Sequence, residues 1–514
     1  MISLQRQRSF EPLATSVKLG YASGQLVEGI VGQIVSIFLL FYLTQACGMA
    51  PALAGLAMSM GIVVDAVLDP AIGAFSDSLS SRLGRRVPVM LFGGPATVLI
   101  FVLLFNLPRG FSPTALFIWV SLLSILLRVG LSTFTLPFQA VGAEISDDAR
   151  ERSQLVAWRW AIGMAGALAA VLLGFGVFLG GKNGLANRAA YVPFTMAAGT
   201  LVLVGVALTL NATWRVRNRL HQGGNQSTHS GLRKLPSEVM DVFRNGAFRA
   251  LFFTALTFAT AIGMNASLGL HGSKFFWRLT PSEVITFSLT PLFGMLFGSS
   301  LAGPLLKRLE KRTVVWIGLF GLATAVGLPP TLRLVGILNF QGMPLMGVLL
   351  GITFFGYALV STSAISLGAM IADVADHHEH IFGTRREGMI VAGWAFSSKA
   401  AIGLGTLLAG LVLQFVTLPK PPSDGAVLPA LSPASEILMG VAYGPGSALI
   451  LLLGGLPMLA YKLNRKTHDG ILFELEQRRR MSSPESRTLD VVGKIEAAAV
   501  KRPGSLGTPV GAAP

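Results

Sequence analysis

Two aspartates, Asp65 and Asp69, stand in an otherwise apolar run, APALAGLAMSMGIVVDAVLDPAIGAF, that begins at Ala50. Four residues apart on a helix, they share one face. An ionised side chain at the centre of a bilayer costs at least about 2.5 kcal/mol, so a pair held there calls for compensation. Two carboxylates converging in a low-dielectric interior repel unless a cation sits between them or one takes up a proton. That is the chemistry of a coupling-ion site; the rival reading is a salt bridge that only ties helices together. Pro70, directly after the second acid, disturbs the helix and can free carbonyl oxygens as further hard-cation ligands.

Lys399 is alone among apolar and small residues in GWAFSSKAAIGLG. A buried lysine either pairs with an acid or loses its proton, so it is expected to face Asp65, Asp69 or both. Glu28, in ASGQLVEGIVGQIV, is a third buried acid and Arg159 a further buried base. They either pair as scaffold or bind a polar substrate. Gln25, Gln33 and Gln139 can bond substrate hydroxyls or serve as ordinary interhelical hydrogen bonds. Arg128 reads as a packing and snorkelling residue.

Near predicted helix ends, Asp77 with Arg82, Arg85 and Arg86, and Asp373 and Asp376 with Arg386 and Glu387, are expected to form an inner gate of ion pairs closing one side. The run HHEH at His377 lacks the spacing of four that puts two histidines on one helical face, so no metal is expected beyond a possible sodium ion. No Walker loop, HExxH or GxSxG turn is present, which leaves ATP and covalent chemistry without a home and predicts that the protein is not an enzyme.

The elements that must position these side chains are membrane helices. Of 514 residues, 52% are hydrophobic and only 13% charged, against about 25% charged in soluble domains. Apolar segments long enough to span recur near residues 17–45, 50–77, 88–107, 113–146, 153–180, 191–213, 249–273, 280–306, 313–333, 343–372, 387–418 and 437–463. The expected fold is all-α, with twelve transmembrane helices in two six-helix bundles. The net charge of +16 would suggest nucleic acid for a soluble protein. Here the Lys and Arg gather in alternate loops, which by the positive-inside rule places both termini in the cytoplasm; no nucleic-acid partner is expected. The single Cys47 excludes an intramolecular disulfide. The polar, basic start carries no cleavable signal pattern.

The chain divides into a cytoplasmic segment at 1–16, a first bundle at 17–213, a basic linker at 214–248, a second bundle at 249–464 and a cytoplasmic tail at 465–514. The tail opens on an amphipathic stretch, DGILFELEQRRR, and its last 30 or so residues are expected to be disordered. Each half carries a basic loop after its second helix, GAFSDSLSSRLGRR and GPLLKRLEKR, a weak sign of a 6+6 repeat.

Three segments, DAVLDPAIGAFSDSLSSRLGRRVPVMLFG, TLPFQAVGAEISDDARERSQLVAWR and MIADVADHHEHIFGTRREGMIVAGWAFSSKAAIGLG, resemble the glycoside-pentoside-hexuronide:cation symporters, the melibiose permease branch of the major facilitator superfamily. The resemblance implies that Asp65 and Asp69 bind the coupling cation and that Lys399 links cation and substrate sites. Where the family has a third carboxylate this chain has Thr135, with Ser132 one turn earlier, leaving two charges and neutral hydroxyls for the cation. The family's sugar-contacting acid on the first helix aligns with Gly29, and its tryptophan near the sugar with Gln139.

The resulting expectation is a symporter of alternating access, monomeric in the lipid bilayer of a bacterial inner membrane. It takes no cofactor, and its coupling ion is sodium or a proton. Its substrate is a small organic solute, a sugar or glycoside, bound by Glu28, Gln25, Gln139 and Arg159. The alternatives are a lysophospholipid or other amphiphile as substrate, or a membrane scaffold or sensor that kept the fold and lost transport.

Overall fold

The computed structural model describes residues 12–79, 81, 83–146, 148–181, 184–218, 235–384, 386–419 and 429–482. Among these, twelve helices are long and apolar enough to cross a membrane. The first six are α1 (Thr15–Leu39), α2 (Pro51–Ser78), α3 (Val87–Leu104), α4 (Pro113–Glu144), α5 (Ala149–Phe178) and α6 (Arg188–Arg215). The second six are α7 (Gly246–Phe276), α8 (Pro281–Arg308), α9 (Lys311–Leu334), α10 (Met343–Phe382), α11 (Glu387–Phe415) and α12 (Pro433–Leu459). The spans fall close to those expected from hydropathy. The main difference is α10, which runs ten residues past its apolar stretch, because VADHHEHIF continues a helix after leaving the apolar layer.

Local chemistry explains where the helices start. Proline occupies the first turn of α2, α3, α4, α8, α10 and α12, where its missing N–H has no helical partner to lose. The Ser112, Asp148 and Asn245 side chains accept from backbone N–H groups at the starts of α4, α5 and α7. A reciprocal Thr280 and Glu283 capping box opens α8. Against expectation, α2 stays one helix through Pro70. Wider turns with i to i+5 hydrogen bonds interrupt α1 at Val27–Gly32 and Val35–Leu39, and recur at Leu172–Phe178, Gly272–Phe276 and Ala442–Gly446.

Within the first half α2 packs on α4, α3 on α4 and α6, and α1 on α5 and α6; within the second, α7 packs on α11 and α12, α10 on α8 and α9, and α9 on α12. The most extensive packing between halves is α2 against α11. It is glycine-lined: a Cβ at Gly55 would lie 2.9 Å from Gly410 Cα, and one at Gly403 3.3 Å from Ile62 Cβ. Further cross-half contacts lie at the face opposite the chain ends. His271 Nε2 meets Thr44 Oγ1 at 3.0 Å, Phe41 packs on the His271 ring, and Ala52 N donates to Gln414 Oε1 at 3.4 Å.

On the face that carries the chain ends, a tail helix (Arg465–Ser482) docks on the second bundle. Arg465 donates to the Leu306 carbonyl at 2.7 Å, and His468 approaches Asp376 at 3.3 Å. The final residues from 483 lie outside the described residues, and with them the expectation of a disordered end; the linker residues 219–234 lie there too. The linker ends in a short helix, Leu235–Arg244.

Candidate cation and solute site

Helices α2, α4 and α11 meet around Asp65. Lys399 Nζ lies 2.8 Å from Asp65 Oδ2 and bonds Asp69 Oδ2 as well, so the lysine bridges both acids across the boundary between halves. Ser132 Oγ donates to Asp65 Oδ1 at 2.5 Å. Asp69 Oδ1 is buried without a hydrogen-bond partner. Thr135 lies on the same helix, partly buried, and makes no hydrogen bond to either aspartate. The ammonium thereby cancels the repulsion that two acids on one helical face otherwise suffer. The second carboxylate oxygen of Asp69 and the lone pairs of Ser132 Oγ remain free to ligate a hard cation.

Gln25, Glu28, Gln139 and Arg159 line one cavity of about 610 Å³. Gln25, Glu28, Gly29, Gly32, Gln33 and Ser36 recur at helical spacing and give α1 one polar stripe facing it. Glu28 and Arg159 do not pair directly among the described contacts. Gln25 spans them, its Nε2 donating to Glu28 Oε2 at 2.8 Å while its Oε1 accepts from Arg159 Nε at 3.2 Å. Arg159 also lies over the Phe138 ring, 4.9 Å from its centroid. Gly29 could not carry an acid here, because its Cβ would strike the Gly163 carbonyl of α5.

The sequence did not single out Trp160, which is 71% exposed and lines the same cavity beside Gln139. A second cavity of about 270 Å³ shares Gln33, Ser36 and Leu292 with the first and is lined from the other half by Asn265, Ser288, Thr353 and Tyr357. Of these, Asn265 was findable as the lone amide of an apolar span. The rest look like ordinary small polar residues until the helices are packed.

On the chain-end face, ion pairs form within each half. Arg85 and Arg86 both reach Glu144, Arg86 at 2.9 Å, and Arg86 reaches Asp77 at 3.2 Å. Lys311 bonds Asp373 at 2.6 Å, and His468 contacts Asp373 and Asp376. Glu144, at the end of α4, was not among the expected gate residues; Arg82 lies outside the described residues. Arg386 and Glu387 stand at the start of α11. The histidines of HHEH diverge: His377 meets Asn245 Oδ1 at 3.1 Å, His378 the Thr384 carbonyl at 2.9 Å and His380 Glu474 at 2.8 Å.

A model of the MFS/sugar transport proteins matches residues 20–465. The inner membrane symporter YicJ of Escherichia coli is 24% identical, over 79% of this chain and 84% of its own. The isoprimeverose transporter of Lactiplantibacillus pentosus is also 24% identical, over 78% of this chain and 80% of its own. Among solved structures, the nucleoside transporter NupG superposes with a TM-score of 0.58 at 14% identity, covering 87% of this chain and all of that one, which speaks for the fold.

Proposed function

The chain belongs to the MFS/sugar transport protein family, and from that premise we propose that it carries a sugar-like solute together with a cation by alternating access. It is a multi-pass membrane transporter and not an enzyme. The observation that carries the symport reading is Lys399 clasping Asp65 and Asp69 in an apolar surround. An empty pair of acids could not cross between states without a large electrostatic cost, and the lysine supplies a tethered substitute for the cation.

An arriving cation displaces the ammonium, which unties α2 from α11 at mid-height and favours opening on the far side. On leaving, it returns the lysine and the closed seam. Because both ligands act on this one contact, each strengthens binding of the other by the same factor. Ser132, Asp65 and Asp69 supply the cation's oxygens, with Thr135 close enough in sequence to join when the site rearranges.

The solute lies in the adjoining cavity, where Gln25, Glu28, Gln139 and Arg159 offer donors and acceptors and Trp160 a flat apolar face. Isoprimeverose transport by one relative and symport by another agree with this reading. With the basic loops and both termini in the cytoplasm of a bacterial cell, the far-face seam closes the outside, and the cavity is in its inward-facing arrangement. The cation is sodium, since neutral hydroxyl oxygen complements the two carboxylates.

Proteoliposomes with an imposed sodium gradient at equal pH on both sides test this. Sodium-driven uptake of a labelled glycoside is the expected result. Uptake that ignores sodium and follows a pH gradient would leave a proton symporter on the same residues, and uptake driven by neither would defeat the reading.

A further inference from the structure

A third cavity, of about 540 Å³, lies on the chain-end face, where the start of α7, the end of α12, the α10 extension and the tail helix converge. It shares no lining residue with the solute cavity. Arg249 on α7, His377 on α10 and Lys462, in the connection between α12 and the tail helix, line it, and no Asp or Glu stands among its lining residues. The Lys462 side chain has no hydrogen-bond or ion-pair partner among the described residues. Arg249 spends one N–H on the Phe243 carbonyl, at 3.1 Å, and meets no carboxylate among them. Two exposed cations thus line one hollow without a counter-charge.

The same hollow opens on Gly246 and Ala247 in the first turn of α7, where backbone N–H groups and the helix dipole favour an anion. Asn245, 1% exposed, caps that turn: its Oδ1 accepts from Ala247 N at 2.9 Å and from His377 Nδ1 at 3.1 Å. With the oxygen so engaged, Nδ2 of the amide is a buried donor that has no acceptor. Such a donor costs stability unless a ligand supplies the missing oxygen.

On the membrane side, Phe253, 44% exposed, and Pro457 line the hollow. Leu456, Leu453 and Leu449, each at least half exposed, continue this apolar wall along α12 at spacings of three and four. Ala460 and Leu449 are eleven residues apart, about 16 Å along the helix, which matches one leaflet of a hydrocarbon core about 30 Å thick. Lipid-facing leucines occur on any membrane helix. What sets this track apart is that it ends in a cationic hollow.

We propose that one anionic phospholipid binds here, its phosphate held by Arg249, Lys462 and the α7 N-terminus, with one acyl chain along the α12 leucines. Basic hollows between membrane helices suit charged headgroups, and a guanidinium bonds two phosphate oxygens at once. A free phosphate would leave the apolar track unused. The lipid ties α7, α12 and the tail helix together on the chain-end face, whichever cation or solute the protein carries.

The test uses the full chain purified in detergent and stripped of lipid, read by native mass spectrometry and thermal shift. It is titrated with dioleoyl phosphatidylglycerol, with phosphatidylcholine of the same chains, and with glycerol 3-phosphate and inorganic phosphate. Phosphatidylglycerol should bind about tenfold or more tighter than phosphatidylcholine and raise Tm, since each nearby cation favours the anionic headgroup. Neither soluble phosphate should reproduce the shift at the same concentration. Arg249→Gln combined with Lys462→Gln should abolish the preference; Lys466→Gln, which removes an exposed charge of the tail helix outside the hollow, should leave it unchanged.

Equal binding of the two lipids, a double variant that keeps the preference, or an equal loss in Lys466→Gln would each overturn the proposal. A shift from the soluble phosphates as large as that from the lipid would overturn it as a lipid site and leave a free-anion site. Where the double variant does not fold, Lys462→Gln alone, in an exposed connection, gives the readout: a weakened preference supports the site, and one as strong as wild type counts against it.

Discussion

Asp65 meets both Lys399 and Ser132, and the two acids on α2 are where substitution should tell most. Asp65→Asn and Asp69→Asn should each abolish cation-driven accumulation while leaving insertion intact, measured by labelled uptake and by size-exclusion of the purified variants. Normal accumulation in either would remove the pair from the coupling site. Ser132→Ala deletes the hydroxyl that donates to Asp65 Oδ1, and should weaken cation binding by roughly tenfold, the usual scale for a hydrogen bond to a charged group. Thr135→Val should change it less, because Thr135 has no bond to either acid in the state seen here; equal losses in a sodium titration would show that the site rearranges to take Thr135 in. The aspartates and the lysine were legible in sequence because a charge in an apolar run has few innocent explanations. The Gln25 bridge was not, since nothing in one helix says which side chains another will present.

At the scale of helices, the seam between α2 and α11 rests on Gly55 and Gly410. Gly55→Val would put atoms where the Gly410 backbone now lies, and helix backbones cannot both stay. The variant should favour the arrangement open on the far face, read as increased labelling of Cys47 beside the seam by an impermeant thiol reagent. Unchanged labelling would mean that the seam yields elsewhere. Hydropathy placed the spans to within a few residues, the C-terminal end of α10 excepted, because length and apolar content are local properties. The passage of α2 unbroken through Pro70 was not a local property that the proline's sequence position could give.

Over the whole molecule, the tail helix is the part least tied to transport and most tied to the second bundle. Truncation before Arg465 would strip His468 from Asp373 and Asp376 and free the Leu306 carbonyl. The expected outcome is a fall of a few degrees in Tm with sodium binding kept; loss of sodium binding would tie the tail to the site. The two-bundle plan was readable from the linker and the repeat of basic loops, whereas the partner that Arg85 and Arg86 share, Glu144, was not. Sequence gives the charges at a helix end but not which neighbour turns toward them. The glycine seam has one more consequence, for speed. Backbone lying on backbone interlocks no rotamers, so parting the halves requires little side-chain rearrangement there, and the ammonium bridge becomes the principal fastening. The frequency with which an unloaded carrier turns over should then follow the rupture and re-formation of that bridge, and respond to ionic conditions more than to the fluidity of the surrounding lipid.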